Sequence, residues 1–223
     1  MRIHNMAYEN HIMFALVSFL VARITIVFMF LFVIVNCIIN KMTKKDFIIR
    51  GYEIFTLTPD LVEKYGNDIC KSLDQIPRVD PHTKEQLLQA KSGDRVLYKK
   101  WDHSFLLLDE ENFVGVIMGY ERKSENNDQY PYNSIYLSDF AVAKEYQRKG
   151  IGKFLVKIWL DKNRIIGFLK LDGHLRFSVQ TNLADWNEHV KKLYESFGFK
   201  KTSEKKYDNR TDNIYFLEVF KDH

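Results

Sequence analysis

The chain has 223 residues, 46% hydrophobic and 28% charged, a globular composition long enough for one sizeable core and unlike that of a disordered chain. Its 33 basic and 29 acidic residues leave a formal net charge of +4, too mixed to mark a nucleic-acid-binding surface. The two cysteines, Cys37 and Cys70, provide neither a disulfide framework nor a CxxC metal site, and fit a reducing compartment.

Residues 12–39 form an almost wholly apolar run, longer than the ~20 residues that span a bilayer core, with Arg23 as its charge. An arginine at mid-membrane costs about 2.5–3.5 kcal/mol on insertion scales, which the surrounding Leu, Ile, Val and Phe residues outweigh. Lys41, Lys44 and Lys45 follow, so the positive-inside rule places the remainder of the chain in the cytoplasm. A second reading stands beside this one. Met42 opens a stretch suited to the start of a cytosolic enzyme, and residues 42–223 read as a complete domain. Residues 1–41 are then either an anchor with one apolar helix or an upstream extension.

Residues 47–57 read as a first strand. Thr58-Pro59-Asp60 signals a helix start, and Leu61, Val62, Tyr65, Ile69 and Leu73 recur at helical spacing to about Ile76. Thr83 and Gln86 predict a capping box for a second helix running to about Ala90. Residues 104–108 and 113–118 read as a hairpin, and 123–133 as an exposed polar loop. Residues 135–142 predict a strand, and Leu155, Ile158 and Trp159 the buried face of a helix that opens near Gly152 and runs toward Ile166. A strand over 175–181 follows, then a helix from Asn187 to a left-handed glycine at Gly198. Residues 200–207 and 214–220 close the chain as an antiparallel pair. The pattern is a mixed α/β sandwich, a central sheet with helices on both faces.

The chemistry gathers at Gln147-Arg148-Lys149-Gly150-Ile151-Gly152, between the predicted strand and its helix. Unpaired backbone N–H groups and the dipole at a helix start favour an anion, and glycines let the backbone approach a phosphate. Arg148 and Lys149 add positive charge. The spacing is neither G-x-G-x-x-G nor G-x-x-x-x-G-K-[ST]. The histidines, His82, His103, His174 and His189 among them, lack metal-ligand spacing, so no metal is expected, and no G-x-S-x-G elbow is present.

The Q-x-x-G-x-G pattern resembles the acetyl-CoA pyrophosphate loop of the GNAT N-acetyltransferase superfamily. Two further blocks carry the resemblance: residues 140–146 before the loop, and Asn187 to Phe199, similar to N-x-x-A-x-x-L-Y-x-x-x-G-F with Val190 in place of the alanine. It covers Met42 to the C-terminus and implies a mostly antiparallel central sheet flanked by helices. The implied reaction moves an acetyl group from acetyl-CoA to an amine by direct attack in a ternary complex. The resemblance further implies that Phe140, Ala141 and Val142 offer backbone groups to the pantetheine arm and the oxyanion. Gln147, Arg148, Lys149, Gly150, Ile151 and Gly152 would hold the pyrophosphate, Asn187 and Tyr194 would meet the cofactor, and Tyr194 would protonate the leaving thiolate. The base stays open between Asp139, Tyr136 and Ser138, with Asp139 facing the substrate or held in an ordinary ion pair. Residues 135–142 and 185–188 also look like the diamine (polyamine) acetyltransferases, which carry a Glu-Asp pair where this chain has Ser138-Asp139. A non-catalytic acyl-CoA sensor on the same fold is the rival reading, and a homodimer is left open.

Overall fold

The computed structural model describes residues 51–75, 81–92, 95–124, 129–168, 174–182 and 187–220. In chain order these form β1 (Tyr52–Thr56), α1 (Pro59–Leu73), α2 (Lys84–Leu88), β2 (Lys91–Ser92), β3 (Arg95–Val96), β4 (Phe105–Asp109), β5 (Asn112–Arg122) and β6 (Ser134–Val142). After these come α3 (Ile151–Phe168), β7 (His174–Asn182), α4 (Glu188–Ser196), β8 (Lys200–Lys206) and β9 (Thr211–Phe220). Seven strands make one sheet in the order β1-β4-β5-β6-β7-β9-β8. Neighbours run antiparallel except β6 and β7, which are parallel.

Local chemistry accounts for the helix starts. Thr58 accepts the Leu61 N–H at 3.3 Å with Pro59 opening α1. Thr83 and Gln86 make the reciprocal capping box of α2, which stops at Leu88, short of Ala90. The Lys100 ammonium closes the other end of α2, donating to the carbonyls of Leu87 and Gln89.

The core divides across the interior strand β5, whose side chains alternate between the two faces. Val116 and Met118 pack with Val62, Ile69 and Leu73 of α1. On the opposite face, Gly119 lies against Trp159 of α3, whose ring packs on Phe177 of β7 at 5.3 Å between centroids. A Cβ at Gly119 would stand 2.9 Å from Trp159 Cζ2 and 2.9 Å from the Tyr136 carbonyl oxygen. Gly119→Ala is therefore expected to destabilise the domain by about 1–3 kcal/mol, the range for overpacking. Thermal melts read this as a lower Tm. An unchanged Tm would mean that Trp159 has room to retreat.

Several expectations shift. Residues 47–50 of the first predicted strand, and Asp185 and Trp186, lie outside the described residues, as does the apolar run 12–39. Among the described residues no helix is long and apolar enough to cross a membrane. The stretch 123–133 is not uniformly an exposed loop: Tyr130 is fully buried, with its ring 3.1 Å from the Arg122 guanidinium and its hydroxyl donating to Gln180 at 2.7 Å. Cation–π contact and a hydrogen bond together make a buried place for a residue of a polar segment. The short β2–β3 hairpin has too little alternation to be read from sequence.

Candidate functional site

The glycine loop lies where β6 hands over to α3. After Val142 the chain makes a 3₁₀ turn over Lys144–Tyr146, then enters left-handed backbone at Arg148 (φ 59°) and Gly150 (φ 79°). The Gly150 carbonyl accepts the Phe154 N–H at 3.1 Å, which places Gly150 at the cap of α3. Glycine has no side chain to satisfy the first-turn N–H groups, and no acidic residue stands in that turn. Arg148 and Lys149 are exposed beside it, while Ile151 is buried as the helix anchor and Gly152 is half-buried. The Gln147 amide turns back on the loop, donating to the Val142 carbonyl at 3.0 Å and to the Gln75 side chain.

The sheet opens at the same place. β6 pairs with β7 only through Ile135, Tyr136 and Leu137, whereas its pairing with β5 continues to Val142. Among the described residues, one edge of β6 is therefore bare beyond Leu137. Ala143 donates its N–H to Val114 at 2.9 Å, toward β5. Successive N–H groups of a strand point to opposite edges, so those of Val142 and Phe140 face the bare edge. The Ala141 side chain packs toward α1, and that of Phe140 lies toward α3 and α4.

A β-bulge falls at the start of this opening. Met118 pairs with Asp139 and Gly119 with Leu137, leaving Ser138 as the extra residue. The Ser138 hydroxyl donates to the Met118 carbonyl at 3.1 Å. Tyr136 is packed against Tyr120 and Tyr130, and burial pushes its phenol well above the usual range. Of the three candidate bases, Asp139 stands two residues beyond Leu137, with a third of its side chain exposed.

Tyr194 projects from α4 and is buried between Phe140 (6.4 Å between centroids) and Phe199 (5.8 Å). Burial first, and the Asp139 carboxylate second, drive its phenol pKa strongly upward, so the hydroxyl keeps its proton at any physiological pH. Asn187 occupies the N-cap position of α4 without making the capping bond. Its amide donates instead to Thr181 Oγ1 and to the Asn182 carbonyl at 3.1 Å, fastening α4 to the end of β7 that has parted from β6.

The structure adds two residues that sequence reasoning passed over. His82, just before α2, lies with Nε2 3.8 Å from Asp139 Oδ1. Its Nδ1 is 2.6 Å from Asp74 Oδ1 at the end of α1, and its backbone N–H reaches both Asp74 oxygens at 3.1 Å. The spacing of His82 is not that of a metal ligand, and no spacing rule links it to Asp74 or Asp139. Among the described residues no group of three or more His, Cys, Asp or Glu side chains is arranged to hold a metal.

Residues 100–201 match the family model described as an acetyltransferase (GNAT) domain. No curated protein matches the chain. Among solved structures, the ribosomal-protein-S18-alanine N-acetyltransferase of Escherichia coli is similar at 18% identity and TM-score 0.50, over 77% of this chain and 96% of that one. Naa50 of Arabidopsis thaliana, in complex with a CoA bisubstrate analogue, is similar at 16% identity and TM-score 0.51, over 75% and 98%. The spermidine/spermine N-acetyltransferase SpeG of Vibrio cholerae is similar at 18% identity and TM-score 0.50, over 75% and 94%. At these identities the likeness is one of fold.

Proposed function

We propose that this chain, which carries a GNAT acetyltransferase domain over residues 100–201, moves an acetyl group from acetyl-CoA to a primary amine. The observation that carries the reading is the opening of the sheet between β6 and β7, among the described residues, beside a helix start whose cap position is the glycine Gly150. A pantetheine arm is an amide chain. Laid along the bare edge of β6, it pairs with the N–H groups of Phe140 and Val142 as an added strand would. The pyrophosphate then meets the first-turn N–H groups of α3, with the charges of Arg148 and Lys149 alongside. A structure of the same fold, Naa50 of Arabidopsis thaliana, holds a CoA bisubstrate analogue, which accords with a coenzyme A thioester here.

In this placement the thioester lies between Asp139 on one side and Tyr194 on the other. The acceptor amine attacks the acetyl carbon directly, and an N–H at the edge of β6 steadies the oxyanion. Tyr194 meets the departing sulfur. Incubation of the full-length chain with acetyl-CoA and a panel of polyamines, amino acids, aminoglycosides and peptide N-termini, with release of free thiol as the readout, tests the reading. Amine-dependent thiol release is the expected result. Saturable acetyl-CoA binding with no release on any amine would favour an acyl-CoA-binding protein instead.

The domain boundary carries its own prediction. Every described element from β1 onward belongs to the unit that begins at Tyr52. Residues 42–223 expressed alone are expected to be monodisperse in size-exclusion chromatography and to bind acetyl-CoA. Aggregation of that fragment, with good behaviour of the full chain in detergent, would place the apolar run within the fold.

A further inference from the structure

We infer that Asp212 binds a second cationic group of the acceptor, and that Arg210 holds this place until the acceptor takes it. The inference rests on the acetyltransferase reading and names the substrate class within it: an amine that carries another ammonium or guanidinium at its far end.

The starting point is a buried charge. Asp212, near the start of β9, is 4% exposed. Its Oδ2 accepts the Gln180 amide at 2.6 Å and lies 3.4 Å from the Arg210 guanidinium. Its Oδ1 is buried too, and has no hydrogen-bond partner among the described residues. An unpaired buried carboxylate oxygen is costly, so a fold that keeps one calls for a donor from outside.

The neighbouring amide cannot supply that donor. Gln180 Nε2 gives one proton to Asp212 and the other to the Tyr207 hydroxyl at 2.8 Å, while Oε1 accepts the Tyr130 hydroxyl at 2.7 Å. Packing fixes this network from one side, where Tyr130, Ile214 and Phe216 form a buried cluster with Tyr136 against it. On the other side stands the turn from β8 to β9. Tyr207 donates its N–H to the Arg210 carbonyl at 2.8 Å, and the Arg210 guanidinium lies 4.7 Å from the Tyr207 ring centre. The Arg210 side chain is 51% exposed, against 5% for that of Asp212. A buried carboxylate is thus covered by a cation that stands in water. An ion pair with so exposed a partner is weak, and another cation can exchange into it.

Strand register brings this place to the reaction. Directly paired residues share a face of a sheet, as do residues two apart on one strand. Asp139 pairs with Met118 and Tyr136 with Tyr120, so both stand on the face that α1 covers. Tyr136 pairs with Ser178 and Ser178 with Phe216, which puts Gln180, Ile214 and Asp212 on that face as well. Asp212 lies opposite Asn182, three residues beyond Val179, the last residue of β7 paired to β6. Asp139 and Asp212 therefore share one face at the end of the sheet that opens. With β7 between them, their backbones are separated by two strand spacings, roughly 10 Å or more. A molecule with one amine at the thioester beside Asp139 and its other cation at Asp212 is an extended dication.

The test uses the full-length chain with cadaverine and hexylamine, equal in length and differing at the far end by an ammonium against a methyl group. Longer diamines are run beside their matched monoamines. The diamines are expected to lead in kcat/KM by roughly 10- to 10²-fold, the worth of a hydrogen bond to a charged group. In Asp212→Asn this lead disappears through a raised diamine KM, with monoamine rates and calorimetric acetyl-CoA affinity unchanged. In Arg210→Gln the diamine KM falls by about two- to fivefold, because the competing cation is gone. A merely structural ion pair would not lower KM. Arg210 is exposed, so this variant keeps the test alive if circular dichroism shows Asp212→Asn unfolded. Equal kcat/KM for diamines and monoamines, or a folded Asp212→Asn protein that keeps the diamine lead, overturns the cation site. An unchanged diamine KM in Arg210→Gln overturns the exchange. Both results leave the acetyltransferase reading standing, provided that the parent releases thiol with an amine. A parent that releases none overturns that reading and the inference together.

Discussion

Tyr194→Phe is expected to lower kcat by roughly 10²-fold while leaving acetyl-CoA affinity nearly unchanged, the low end of the range for general acid catalysis. The substitution keeps the ring between Phe140 and Phe199 and deletes only the hydroxyl, so packing survives. Two opposing effects set the magnitude. Burial and the Asp139 charge keep the phenol protonated, so it is always present as a donor. The same upward shift makes complete transfer to a thiolate, whose ordinary pKa is about 8.5, more uphill. The hydroxyl therefore acts more by hydrogen-bonding the departing sulfur than by surrendering its proton early. Because a thiolate is already a fair leaving group, the loss stays near the bottom of the range. Steady-state rates decide this. A kcat within about twofold of the parent, far below the general-acid range, would make Tyr194 a packing residue and leave water to protonate the sulfur.

Gly150→Val is expected to weaken acetyl-CoA binding by roughly 10²-fold, the loss of one or two hydrogen bonds to a charged group at about 1.5–3 kcal/mol each. Gly150 is left-handed at φ 79°, where a β-branched residue is strained. A valine either forces the loop into another conformation or stands its isopropyl group at the open end of α3. In both cases the first-turn N–H groups no longer converge on a phosphate. Gly150 is exposed and the helix behind it is anchored by Ile151 and Leu155, which are 2% and 0% exposed, so the domain should remain folded. Calorimetric titration with acetyl-CoA, beside circular dichroism to verify the fold, gives the answer. Unchanged affinity in a folded variant would remove the glycine loop from the cofactor site. Gly152→Val should do less, since a Cβ there meets Phe140 Cε2 at 3.5 Å, an ordinary contact.

The sequence alone carried the features that local physics sets. The caps at Thr58 and Thr83, the hairpin between β4 and β5, the glycine loop ahead of α3 and the left-handed Gly198 at φ 89° are each written in a few neighbouring residues. Such features depend on hydrogen bonds and dihedral preferences within a turn or two of chain. Tertiary structure decided what strand register and helix packing bring together. The bulge at Ser138 and the parting of β6 from β7 after Leu137 are properties of pairing between strands far apart in sequence. Asn187 stands at the predicted cap, yet its amide goes to Thr181 and Asn182, because β7 supplies a nearer partner than its own helix. Asp74, His82 and Asp139 come from the end of one helix, the approach to another and the middle of a strand. Their meeting depends on α1 packing over β5 and β6, which apolar burial drives and which leaves no periodic trace on the polar residues it carries along.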